Sequence, residues 1–160
     1  VTLEDYLVRN IAWLETAVKT VAAGKDLMSM FAFETKDETV VVPPTGDKAL
    51  MVALFRATAR GAGAERYAII SPAWIVKLGK HEIEAGSAII DREGTGTVYK
   101  DRRQECYFVI VGDREQTLIA GFNVVRDYKG KIRRLIRLPA LVPQAFPHGR
   151  MMDLLIEARH

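Results

Sequence analysis

Residues 104–138 read QECYFVIVGDREQTLIAGFNVVRDYKGKIRRLIRL, and this stretch decides the fold. Three runs rich in β-branched and aromatic residues, 104–111, 117–126 and 131–138, are separated by Gly112-Asp113-Arg114-Glu115 and by Asp127-Tyr128-Lys129-Gly130. Each spacer has turn composition, because glycine accepts a positive φ and aspartate bonds its own backbone two residues on. Strands this closely spaced must pair antiparallel, since a parallel pair needs a crossover of about a dozen residues or more. The expectation is a three-strand meander.

Upstream of the meander, Thr2 followed by Asp5 resembles a capping box. Leu3, Leu7, Ile11, Leu14, Val18 and Val21 then recur at helical spacing, and Gly24 suits a left-handed terminus, so 3–23 is expected as an amphipathic helix. Residues 27–34 and 38–42 flank a polar spacer and read as a hairpin. Pro43-Pro44 stops its second strand, and Thr45 is a candidate N-cap for a helix over 47–60. That helix is apolar nearly all round, which predicts burial between other elements. Residues 66–70 read as a strand ended by Ser71-Pro72, because proline does not donate to a central ladder. Residues 73–103 carry no clear period, and Glu93-Gly94-Thr95-Gly96-Thr97 is loop composition. Beyond Pro139, Pro143 and Pro147, residues 150–158 form an apolar helix pattern that needs covering. Strands follow strands, which predicts an α+β fold. The expected form is a single, mainly antiparallel sheet of five to six strands in one domain over 1–160. An N-terminal amphipathic helix, a buried central helix and a short C-terminal helix pack on it.

Composition narrows the function classes. Of 160 residues, 49% are hydrophobic and 27% charged, which excludes wholesale disorder. The single cysteine, Cys106, excludes an internal disulfide and a cysteine-based zinc site. No apolar run reaches the roughly 20 residues of a membrane-spanning helix. The first residues are acidic where a signal peptide is basic, so the expected setting is cytoplasmic. The net charge is +3, and residues 97–137, with ten Lys or Arg against five Asp or Glu, carry the whole surplus.

Several residue sets are candidates for chemistry. His81, Glu82, Glu84 and Asp91 place imidazole and carboxylates near one another and form a candidate divalent-metal site; the plain alternative is a solvated strand or turn. No other cofactor is implied. Asp26 with Glu34-Thr35-Lys36 superficially matches a nuclease metal site, but eight residues of one strand exceed such a site's width. Cys106 shares strand parity with Phe108 and Ile110, as a buried thiol would. Ser71 lacks the glycine turn of a nucleophilic serine, and Gly61/Gly63 and Gly94/Gly96 lack the strand-before, helix-after setting of a phosphate loop. In the last strand Lys131, Arg133 and Arg137 alternate, with Ile132, Arg134, Ile136 and Leu138 on the other side. With Arg102 and Arg103 before the neighbouring strand, this is a candidate phosphate or acidic-partner stripe; the alternative is an edge strand guarded by charge.

Arg66 to Trp74, Asp101-Arg102-Arg103-Gln104-Glu105 leading into Tyr107–Val111, and Arg126-Asp127 resemble a pattern in small uncharacterised proteins of bacteria and phages. In those chains a strand ends in Ser-x-Ala-Trp, a later strand carries Arg-x-x-Glu, and an Arg-Asp turn follows; Pro72 stands here where the pattern has an acidic residue. The resemblance implies a bacterial or phage setting and no particular activity. The residues themselves favour a non-enzymatic binding or assembly protein that self-associates, as a dimer. A metal-dependent hydrolase built on the His81 cluster and a nucleic-acid-binding accessory protein built on the basic meander are the alternatives.

Overall fold

The computed structural model describes residues 1–44, 46–75 and 104–139. Six strands form one antiparallel sheet: β1 (Met30–Glu34), β2 (Thr39–Val42), β3 (Arg66–Ile75), β4 (Gln104–Gly112), β5 (Thr117–Arg126) and β6 (Ile132–Arg137). Their spatial order is β2-β1-β3-β4-β5-β6, so the hairpin and the meander join through the β3–β4 pair. The architecture is α+β, with the meander as expected and with helix α1 (Leu3–Ala17) on one face and α2 (Lys48–Gly61) on the other.

Alternation along the strands fills both faces. Ala68, Ile70, Tyr107, Val109, Val111, Ala120 and Phe122 pack beneath Leu3, Tyr6, Leu7 and Leu14 of α1. Phe31, Phe33, Tyr67, Ile69 and Ile110 pack beneath Met51, Val52, Phe55 and Ala59 of α2. Phe55 meets Phe31, Phe33 and Tyr67 edge-on, with ring centroids 5.4, 5.9 and 6.3 Å apart, an arrangement that adds quadrupolar attraction to burial.

Four expectations change. The first helix ends at Ala17 and tightens into a 3-10 turn (Val18–Thr20); its Thr2–Asp5 capping box is present, and Gly24 takes φ 73°. The cap of α2 is Asp47, whose carboxylate accepts from the Leu50 N–H, and not Thr45. Instead of being buried all round, α2 is buried along one stripe, with Leu50 57% and Leu54 48% exposed. Finally, β3 runs through Pro72 to Ile75. The hairpin bond from Thr35 N–H to the Glu38 carbonyl fixes which backbone groups of β1 face β2. By alternation, the even residues of β3 turn theirs toward β1. Since β1 begins at Met30, opposite Ile70, the missing N–H of Pro72 falls where there is no strand to receive it. The expected helix over 150–158, and residues 76–103 of the stretch without a clear period, lie outside the described residues.

Gly112 is fixed by sterics: a Cβ there would lie 2.5 Å from Tyr67 Cε1. Gly112→Ala is expected to lower the unfolding free energy by about 1–3 kcal/mol in denaturant titration, as overpacking does. Gly61→Ala, with open space around it, should be neutral or stabilise by up to about 1 kcal/mol. Phe55→Ala should cost about 3–5 kcal/mol.

Candidate functional site

The β5–β6 end of the sheet concentrates charge. Between Thr117 and Pro139 the chain has six Lys or Arg and one acidic residue, Asp127. That aspartate is consumed by the turn: its Oδ1 accepts from the Lys129 and Lys131 N–H groups, while Gly130, at φ 82°, donates to the Asp127 carbonyl. The turn thereby holds Tyr128, 92% exposed, and Lys129 out in solvent, with the Lys129 ammonium 5.6 Å from the Tyr128 ring centroid.

Two cations of this region work inside the fold. Arg126 Nε and Nη2 donate to the two oxygens of Glu105, Nη2 also donates to Asp26 Oδ1, and Nη1 donates to the Gly130 carbonyl. Lys131 Nζ donates to the carbonyls of Lys19 and Val21, where a cation satisfies orphan carbonyls after a helix. Together with the Gly24 N–H to Gly130 carbonyl bond and the Leu27 N–H to Tyr107 hydroxyl bond, these contacts strap the connection after α1 onto the sheet end. The Arg126 guanidinium holds Glu105 below the usual carboxylate range. The hydrogen bond with Glu105, then partial burial, raises Asp26. Burial raises Tyr107.

The remaining cations are unoccupied. Arg133, Arg134 and Arg137 are exposed, and none makes an ion pair or side-chain hydrogen bond among the described residues. A bulge at Val125/Arg126 rearranges the expected stripe. Ile132 lies opposite Arg126 and Arg137 opposite Phe122, on the α1 side, while Arg134 lies opposite Val125 on the α2 side. Arg133 falls in the bulge itself, without a partner residue. The stripe of Lys131, Arg133 and Arg137 on one face is therefore corrected to a ridge along the sheet edge: Lys129, Arg133, Arg134 and Arg137, without Lys131.

Elsewhere, a cleft of about 300 Å³ is lined by Ser29, Phe31, Met51, Ser71 and Pro72 among others. Ser71 Oγ lies 3.1 Å from Ser29 Oγ and also bonds the Pro72 carbonyl, and the chain's three histidines all lie outside the described residues. Cys106 is fully buried, its thiol donating to Asn123 Oδ1. At the opposite end of the sheet, Glu34 joins Arg9 and Arg66, whose guanidinium groups sit 5.0 and 5.4 Å from the Tyr6 ring centroid. Burial and the Glu34 charge push the Tyr6 hydroxyl up to about 12. His81, Glu82, Glu84, Asp91, Arg102 and Arg103 lie outside the described residues, among which no three His, Cys, Asp or Glu side chains converge on a metal-sized site. No helix of the described residues is long and apolar enough to cross a membrane. Compared with protein-family models, curated proteins and solved structures, the chain matches none.

Sequence reading missed the Arg126–Glu105–Asp26 network, whose partners lie 21 and 100 residues apart. It also missed Lys129 and Arg134 as members of the ridge. The signal for Arg134 was the doubled arginine, which strict alternation cannot place on one side.

Because its folded pKa is depressed, Glu105 contributes stability that is present above its unfolded value of about 4.3 and lost as pH falls through the folded value. Asp26, shifted the other way, contributes below its unfolded value and loses that contribution as pH rises. Glu105→Gln is expected to reduce stability at neutral pH by about 1–2 kcal/mol, discounted for partial exposure, and to flatten the acid limb of the melting curve below about pH 4.3. Thermal melts from pH 2 to 8 measure both.

Proposed function

We propose that the chain is a non-enzymatic binding protein that engages a nucleic-acid backbone along the β5–β6 turn and the β6 edge. The observation that carries this reading is the contrast within a few residues of sequence. Arg126 and Lys131 are bonded into the fold, whereas Arg133, Arg134 and Arg137 are exposed with no partner among the described residues. Lys129 extends the same line into the turn.

The edge geometry suits a phosphate backbone better than a flat face would. Strand residues rise about 3.3 Å each, so 133 to 137 span roughly 13 Å, comparable with several phosphates of a duplex. Arg134 and Arg137 project to opposite sides of an edge strand, as a ridge entering a groove requires. Tyr128 is a single exposed ring, too little for a series of stacked bases, which favours backbone contact on a duplex over single-strand binding. Affinity of this type comes from counterion release and carries little sequence preference.

Titration of a fluorescein-labelled 20-base-pair DNA duplex at a series of salt concentrations tests the reading. Displacing three to four counterions predicts a log K against log salt slope of about −3. Arg134→Ala and Arg137→Ala should each reduce the slope by about one while leaving the melting temperature unchanged. Absence of binding at low salt, or a slope unaltered by both substitutions, contradicts it. If the variants aggregate and the slope stays, the arginines guard the edge instead.

A further inference from the structure

The two edges of the sheet are unlike. Where β6 carries three exposed arginines, β2 is Thr39-Val40-Val41-Val42, four β-branched residues without a charge. Among the described residues β2 ends the sheet, and an edge of this composition is a template for another strand that natural proteins usually blunt with charge. Val40 and Val42 pack inward against the α2 cluster, leaving Val41 59% exposed on the α1 side, next to Ala32. The alternation set by the Thr35–Glu38 bond leaves the N–H and C=O of Thr39 and Val41 pointing away from β1.

From this geometry we infer that β2 pairs antiparallel with β2 of a second copy of the chain, about a two-fold axis through Val41. The argument for a second copy is self-complementarity. Cα partners in an antiparallel pair must share a sheet side, so the register must preserve parity. The register centred on Val41 does so, placing Val41 opposite Val41 of the second copy and Val40 opposite Val42. Each Val41 N–H then meets the other's carbonyl, and each Thr39 N–H meets the carbonyl of Pro43. Pro43 has no N–H to leave unpaired, and Pro43-Pro44 ends the ladder there, which limits pairing to this short segment.

α1 also leaves an apolar side chain exposed on the face that Val41 shares. Arg9 reaches Glu34, which places that flank of α1 toward β1. Trp13 lies one turn further along the same flank, about 6 Å on. On β1, Ala32 and its partner Val41 follow two residues from Glu34. Trp13 is 43% exposed, an apolar side chain of α1 open to solvent. The inference does not rest on the nucleic-acid reading, since the two use opposite edges; joined this way, the two β6 ridges would lie about 50 Å apart across twelve strands spaced about 4.8 Å.

The test is position-specific. In a two-fold pair the Val41 Cα atoms are about 5.5 Å apart, within the range of about 4.4–6.8 Å that a disulfide spans. Since the native Cys106 is buried, Val41→Cys in the full chain should form a disulfide-linked dimer with oxidised glutathione, while Arg134→Cys and Lys36→Cys should not. Sedimentation velocity should show a wild-type dimer and a Val41→Lys monomer of unchanged melting temperature, because the lysines would face each other across the axis. A wild-type monomer through the micromolar to millimolar range overturns the inference. So does a dimer that survives Val41→Lys, or one in which Val41→Cys fails to cross-link.

Discussion

Everything in this protein hangs on the pairing of β3 with β4, in register from Tyr67 opposite Gly112 to Ile75 opposite Gln104. This pair joins a hairpin to a meander, and without it each would be a small sheet with open edges and too little core. Its residues are buried on both faces, Ala68, Ile70, Val109 and Val111 under α1 and Tyr67, Ile69 and Ile110 under α2. The Tyr67 ring crosses Gly112 at a distance that admits no side chain, so the register is fixed by shape as well as by hydrogen bonds. A slip of one residue would exchange the two faces and expose both cores.

From that centre the sheet becomes more solvated toward its two edges, β2 and β6. At one end of the meander the turn, the bulge and the Arg126–Glu105–Asp26 network cooperate. The network holds the strand end and the connection after α1 together, and the bulge changes which way the following residues point. With Arg126 and Lys131 bonded inward, the arginines beyond the bulge are left facing solvent. At the far edge β2 carries no charge and, among the described residues, has no strand beyond it.

Much of this was legible in the sequence. The meander, the hairpin, both helices and the capping box follow from period-two and period-3.6 patterning with turn residues between, because burial of alternate side chains imposes those periods directly. The limits of β3 were not legible, because the cost of a proline depends on whether a neighbour reaches that point of the strand, and sequence does not show where β1 begins. The composition of α2 overstated its burial: a helix with alanine and leucine around its circumference can lie on one face of a sheet, and Leu50 and Leu54 do so exposed. The cationic region was visible as a surplus of charge. Its membership was not, because a bulge breaks alternation without a sequence marker and because the ion pairs that remove Arg126 join residues distant in the chain.

On the proposed reading one edge of the sheet, and not a face or a cleft, takes the nucleic acid. Backbone amide hydrogen exchange, read residue by residue with and without a DNA duplex at low salt, tests this most directly. Added protection is expected to be confined to residues 127–138, with β1, β2 and α2 unchanged. Protection centred on the Ser29–Ser71 cleft or on α2, with residues 127–138 unaffected, would contradict it.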